Sequence, residues 1–272
     1  MHSEFMGRQL ILSEEFERIW EGGDPFKILQ AVEGNIYRQV KNRKTIQFRI
    51  NGKSYFVKLH SGVGWGEIVK NLLLLRMPIL GAENEWRAVN KLQELGIATL
   101  NSVAYGNRGW NPATRVSFIV TEELINTVSL EDFCQDWDLN PPGFPVKKML
   151  IEKTAHIGRV LHHNGICHRD FYLCHFLLHK DAQGAIETPK LSLIDLHRAL
   201  IKGKLGIRWI IKDIAGLYFS AMDIGLTRRD LLRFIKCYDQ EELRHSLTIR
   251  RDFWLAVENR ALAMYVKHGP SS

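Results

Sequence analysis

His168-Arg169-Asp170-Phe171-Tyr172-Leu173-Cys174-His175-Phe176-Leu177-Leu178-His179, followed after a polar turn by Leu191-Ser192-Leu193-Ile194-Asp195, decides how the fold is read. Phe176–His179 and Leu191–Ile194 read as two short strands flanking that turn. Paired antiparallel, they bring the residues before the first strand beside those after the second. The loop from His168 to His175 then lies next to Asp195. Two carboxylates and an imidazole converge at one open end, which suits a general base plus a divalent cation held by oxygen ligands.

Toward the N-terminus, a helical stretch around Ser13 to Trp20 precedes three β-like runs, Ile36–Lys41, Thr45–Ile50 and Ser54–His60. Asn42-Arg43-Lys44 joins the first two runs, and Asn51-Gly52, a strong hairpin signal, joins the last two. A helix over Ala82–Leu95 stops at Gly96, and Val116–Thr121 reads as a strand left through Glu122-Glu123-Leu124. Val146–Asn164 is helical up to Gly165, and from Lys212 onward the chain reads as helices. Strands gather in the first half and helices in the second, an α+β class in two lobes joined near Glu122. On the helix at Ala82, Glu85 falls within the apolar stripe of Trp86, Val89 and Leu92. A carboxylate on an apolar face needs a cation or a proton. Lys58, near the end of the third run, is the candidate partner.

The 272 residues include 37 basic and 30 acidic side chains, a net charge of +7. With 45% hydrophobic and 25% charged residues the chain is neither disordered nor collagen-like. Between Arg198 and Arg251 twelve basic residues face six acidic ones, so that stretch carries most of the excess. Such a balance favours anionic partners such as a nucleotide, a phosphorylated glycan, an acidic protein or an anionic membrane surface. Cys134, Cys167, Cys174 and Cys237 show no CxxC spacing, as expected for reduced thiols in a cytoplasmic protein. Cys167, Cys174, His175 and His179 match no standard structural zinc spacing. The N-terminal stretch, with Glu4, Glu14, Glu15 and Glu17, is not a signal peptide. Ile68–Leu80, broken by Lys70, Asn71, Arg76 and Pro78, falls short of the ~20 apolar residues that span a bilayer. A soluble protein is expected.

The ordered set of Lys58, Glu85, the Ser117–Leu124 strand and its exit, His168-Arg169-Asp170 and Asp195 resembles the protein-kinase-like fold. A closer likeness is to the bacterial lipopolysaccharide core heptose(I) kinases. It is carried by Ile79–Ala82, Phe118–Glu122, Asn164-Gly165, Cys174–His179, Ile194–Ala199, Lys212-Asp213, Leu217–Ser220 and Gly225–Asp230. The resemblance implies a single bilobal kinase-like domain. An N-terminal extension (1–24) would precede a small β-rich N-lobe (25–121), followed by a hinge and a larger helical C-lobe (122–272). It further implies ATP-dependent, Mg²⁺-assisted phosphorylation of the first heptose of the inner core, in a cytoplasmic protein peripheral to the inner membrane. Lys58, oriented by Glu85, would hold the ATP phosphates, and Glu122, Glu123 and Leu124 would receive the adenine. Asp170 would be the base and Asp195 the metal ligand. His175, standing where an Asn is usual, would be a second metal ligand. His168 and Arg169 would support the loop and Asp213 would anchor it. A sister kinase acting on octulosonic acid, a protein (tyrosine) kinase and a nucleotide-binding pseudokinase are the alternative readings.

Departures from ordinary protein kinases carry information. No GxGxxG lies between the first two strands; Asn42, Arg43 and Lys44 occupy that turn, and basic side chains would replace backbone amides as phosphate partners. Gly62-Val63-Gly64-Trp65-Gly66 reads as a mobile connection. Little chain separates Asp195 from Asp213, leaving no length for a phosphorylated activation loop. His162 and His163 read as dipole partners at a helix C-terminus. The expected partners are the lipopolysaccharide core glycolipid, the anionic inner-membrane surface and acyl carrier protein on the basic region; no nucleic acid is expected. Trp65, Leu72 to Leu75 and Met77 are the side chains that would rest on lipid.

Overall fold

The computed structural model describes residues 8–40, 42–73, 81–180 and 188–269. Lys41, Leu74, Leu75, Met77, Ile79 and Leu80, each part of an expectation above, lie outside the described residues, as do residues 1–7 and the side chain of Leu72. The chain divides into two compact units, residues 1–91 with 100–124, and residues 92–99 with 125–272.

The first unit contains β1 (Arg8–Leu12), α1 (Glu14–Ile19), α2 (Pro25–Gln30), β2 (Asn35–Val40), β3 (Arg43–Ile50), β4 (Lys53–His60), α3 (Gly64–Leu73), most of α4 (Glu83–Glu94), β5 (Ser102–Arg108) and β6 (Val116–Glu122). Its six strands form one antiparallel sheet in the order β1-β5-β6-β4-β3-β2. Asn51 and Gly52 both have positive φ, 51° and 78°, as the tight turn between β3 and β4 requires. Along β4, Tyr55 and Val57 join Phe118 and Val120 of β6 in the core beneath α1 and α2, where Phe16 meets Tyr55 edge-to-face at 5.1 Å. Lys58, the residue after Val57 and paired in register with Ile119, belongs to the opposite face. There Trp86 of α4 stacks on Tyr105 at 4.6 Å.

Residues 8–24, expected to be an extension, supply this sheet with an edge strand and this core with Phe16 and Trp20. Local chemistry fixes both short helices. Ser13 Oγ accepts from the Phe16 N–H ahead of three glutamates in the first turn of α1. Asp24 caps α2, where Pro25 occupies the first helical position and gives up no needed donor. The glycines expected to form a mobile connection instead start a helix, since α3 begins at Gly64.

The second unit holds β7 (Thr127–Ser129), α5 (Leu130–Cys134), α6 (Phe144–His163), β8 (Ile166–Cys167), β9 (Phe176–His179), β10 (Lys190–Leu193), β11 (Leu200–Ile201), α7 (Ile207–Ser220), α8 (Arg228–Asp239), α9 (Leu243–Ile249) and α10 (Arg251–His268). The β9–β10 hairpin pairs antiparallel as expected, with Leu193 facing Phe176, and β7 completes a three-stranded sheet. β8 pairs with β11, so the segment entering the His168 loop is stitched to the segment leaving Asp195. Gly165 is indispensable to that stitch: its φ is 74°, and a Cβ there would sit 1.7 Å from the Lys202 carbonyl oxygen. Among the described residues no helix is long and apolar enough to cross a membrane.

One buried carboxylate ties the helices of this unit to the loop. Asp213 on α7 accepts from the backbone N–H groups of His168, at 2.6 Å, and Arg169, at 2.8 Å. Its Oδ2 also faces His162 Nε2 at 3.3 Å, while His162 Nδ1 meets the Tyr238 hydroxyl of α8 at 2.7 Å. His162, expected to be a dipole partner, is therefore a buried bridge between α6, α7 and α8. Burial alone would raise the Asp213 pKa, but the His162 hydrogen bond and the adjacent imidazoles hold it below its ordinary value.

The sign of the pH effect follows. A carboxyl whose folded-state pKa is depressed contributes stability above its unfolded-state value, and that stability is lost as pH falls through the lower folded-state value. Denaturant unfolding of the wild type should therefore weaken below about pH 4, and Asp213→Leu should flatten that segment of the curve. At neutral pH the same variant should cost about 3–5 kcal/mol, because it leaves buried donors unpaired. A wild type and variant with parallel pH curves would contradict this account.

Candidate active site

In the first unit, alternation along β4 turns Lys58 toward the face where α4 packs, and the helical period sets Glu85 among its apolar side chains. Lys58 Nζ lies 2.5 Å from Glu85 Oε1, and the glutamate side chain is only 1% exposed. Its second oxygen is buried without a hydrogen-bond partner among the described residues. A buried, half-satisfied carboxylate of this kind is the environment that holds a lysine at a fixed position.

The rest of the expected nucleotide machinery in this unit has a more structural appearance. Glu122 accepts from Asn101 Nδ2 at 2.7 Å, and Glu123 accepts from Gln47 Nε2 at 2.9 Å. The Glu123 N–H donates to the Ser54 carbonyl, and Leu124 ends the unit. Asn42 turns the chain, its carbonyl accepting from Ser61 N–H. Arg43 and Lys44 are ladder residues of β3 opposite His60 and Leu59.

In the second unit, the loop and the hairpin end come together as the pairing predicts. Leu193 is held at the hairpin end by Thr99, whose hydroxyl donates to the Leu193 carbonyl at 2.6 Å. Two residues further, Asp195 adopts a left-handed backbone with φ of 61°, and Arg169 does the same with φ of 74°. Each such conformation costs about 1–3 kcal/mol in a residue other than glycine and persists where the surroundings impose it. Here Asp213 grips the Arg169 N–H, and Lys212 Nζ donates to its carbonyl at 2.6 Å. His168 is fully buried and donates from Nε2 to the Ile194 carbonyl at 2.9 Å, which couples the loop to the hairpin end. Burial pushes its pKa down.

His175 and Asp195 face each other, Nε2 to Oδ2, at 3.5 Å. The Asp170 carbonyl lies 2.6 Å from His175 Nδ1, and a carbonyl only accepts, so that nitrogen carries hydrogen. In the neutral ring Nε2 then offers a lone pair toward a carboxylate oxygen. Two acceptors at this separation fit a shared cation or a proton between them, so this donor set is compatible with a divalent metal. Imidazole is the weaker half of the set for a hard ion such as Mg²⁺.

Sequence reasoning assigned no role to two further contacts. His197 Nδ1 lies 2.5 Å from Asp195 Oδ1, and Arg198 Nη1 donates to both oxygens of Asp170, at 2.7 and 3.0 Å. Their signal was present in Ile194–Ala199, where a basic pair, His197-Arg198, follows the carboxylate after one leucine.

Comparison with known proteins identifies a family of kinases. The lipopolysaccharide kinase (Kdo/WaaP) family model matches residues 28–238. The lipopolysaccharide core heptose(I) kinase WaaP of Pseudomonas aeruginosa is 48% identical over 257 residues, covering 94% of this chain and 96% of that protein. Its namesake from Escherichia coli is 51% identical over 227 residues, covering 84% of this chain and 86% of that protein. A solved structure of WaaP in complex with acyl carrier protein superposes with a TM-score of 0.82 at 44% identity, covering 94% of this chain and 99% of that one. That likeness identifies the mixed β-rich and helical architecture as kinase-like. The chain belongs to the lipopolysaccharide kinase (Kdo/WaaP) family and is an ATP-dependent sugar kinase.

Proposed function

We propose that this kinase phosphorylates the first heptose of the lipopolysaccharide inner core by in-line transfer from ATP. The observation that carries the reading is the gathering of Asp170, His175 and Asp195 in one loop cluster, in a chain so close to heptose(I) kinases along nearly its full length.

Lys58, held by Glu85, neutralises phosphate oxygens of ATP, and the backbone of Glu122 to Leu124 receives the adenine. Asp195 and His175 would hold Mg²⁺, which would supply positive charge against the ATP phosphates. Asp170 orients the heptose hydroxyl and takes its proton as that oxygen bonds to the γ-phosphorus and ADP departs. Asp213 and His168 keep the loop rigid enough for that alignment, which is where most of the rate in such chemistry originates. Arg43 and Lys44 are the basic groups nearest the β2–β3 turn and supply charge in place of a glycine-rich phosphate cradle.

The acceptor is a glycolipid, and the protein acts at the cytoplasmic face of the inner membrane. Trp65, Val69 and Leu73, spaced four apart on α3, are all exposed, as is Lys70. An exposed apolar stripe flanked by a cation is suited to the interface of an anionic bilayer. Acyl carrier protein, present with WaaP in the solved relative, is an acidic partner for the basic region, where Lys202, Lys204, Arg208, Arg228, Arg229 and Arg251 are exposed.

Four outcomes test this reading. Transfer of labelled phosphate from ATP should occur to core glycolipid carrying heptose but not to heptose-free glycolipid or to protein. Asp170→Ala should lower that transfer by at least about 100-fold with ATP binding retained, and full turnover in the variant would remove Asp170 from the base role. Asp195→Ala should weaken Mg-ATP binding while leaving metal-free ATP binding nearly unchanged; equal affinity with and without Mg²⁺ in the wild type would end the metal assignment. Finally, sedimentation with vesicles containing anionic lipid should fall when Trp65 and Leu73 are both replaced by Ser, whereas unchanged sedimentation would place the membrane contact elsewhere.

A further inference from the structure

The Asp170 carboxylate is held at both oxygens by a single guanidinium nitrogen, Nη1 of Arg198. The pair is partly withdrawn from water, with 39% of the Arg198 and 16% of the Asp170 side chain exposed. A charge-assisted bond there is stronger than on the open surface. Arg198 arrives from the tight turn Leu196–Arg198, entered through the left-handed Asp195. Four consecutive residues thus present a carboxylate to His175 and a cation to Asp170.

Other nearby cations are engaged elsewhere. Lys212 Nζ donates to the Arg169 carbonyl, and the Arg169 guanidinium lies over the Trp209 ring at 5.7 Å. From Phe171 to Phe176 the loop contains neither lysine nor arginine. Phosphoryl transfer spreads negative charge over the oxygens around the moving phosphorus. A carboxylate base beside them adds to that repulsion unless a cation stands next to it.

We propose that Arg198 is the positioning residue for Asp170, fixing the orientation of its carboxylate and supplying the positive charge that no residue between Phe171 and Phe176 provides. This rests on Asp170 being the base. During transfer the acceptor hydroxyl proton passes to one Asp170 oxygen while Nη1 stays on the other. The acceptor oxygen bonds to the γ-phosphorus, and the bond from that phosphorus to the ADP oxygen breaks. A neighbouring cation makes a carboxylate a weaker base. In a loose transition state little proton transfer is required at the summit, so orientation outweighs basicity.

The test follows ADP release by the full chain with core glycolipid and, separately, with water as the only acceptor. Arg198→Ala should lower kcat by about 100-fold with the KM for ATP within about twofold. Arg198→Lys, which keeps the charge and is the variant read if the truncation fails to fold, should retain about a tenth of wild-type kcat. Added guanidinium ion should restore part of the kcat of Arg198→Ala and none of that of Asp170→Ala. A kcat within about threefold of wild type in Arg198→Ala would overturn the proposal. So would a loss equal in Arg198→Lys and unmoved by guanidinium, because a purely structural role predicts both. Wild type that releases ADP with water but not with glycolipid would overturn the acceptor instead, and the Arg198 series is then scored on the water reaction.

Discussion

A single buried carboxylate, Asp213, holds the second unit in its working form. Its two oxygens take the backbone N–H groups of His168 and Arg169, and its neighbour His162 reaches on to Tyr238. Backbone donors that are buried demand an acceptor, and a charged acceptor satisfies them more strongly than a neutral one. Three helices and the loop therefore share one electrostatic node. The left-handed Arg169 persists because both sides of its peptide unit are held, the N–H by Asp213 and the carbonyl by Lys212. The position of Asp170, the next residue, inherits that rigidity.

The first unit solves a different problem with a similar device. Its sheet must present a lysine on a face that also packs a helix, and the apolar surroundings make an unpaired charge expensive. Glu85 is the answer, buried to 1% exposure on α4 beside Trp86 and facing Lys58. The opposite face of the sheet is aromatic and dry, built from Phe16, Trp20, Phe26, Tyr55 and Phe118. That dry side keeps β4 and β6 in register, and register is what turns Lys58 toward α4 rather than away from it.

Much of this was legible in the chain. The Asn51-Gly52 turn, the β9–β10 hairpin and the Lys58–Glu85 pair all follow from alternation, period and the demand that a carboxylate on an apolar face find a cation. What escaped lacked a periodic signal. β5 is buried on both faces along Val103 to Gly106, so no alternation marks it. β1 is a five-residue edge strand, and α1 and α2 have six residues each, too short to display a helical period. The glycines at the start of α3 resemble a loop until the helix is seen to begin there. The Arg198–Asp170 contact joins residues 28 apart through a turn whose left-handed entry no propensity predicts.

The backbone of Asp195 has a consequence for substitution. A φ of 61° is one that glycine adopts freely and asparagine tolerates. Judged by backbone torsion alone, glycine is the easiest residue at this position, and it cannot carry the negative charge. Such a replacement would relax the backbone and at the same time remove the contacts to His197 and His175. Keeping an aspartate in that conformation trades backbone ease for a negative charge aimed at His175 and His197.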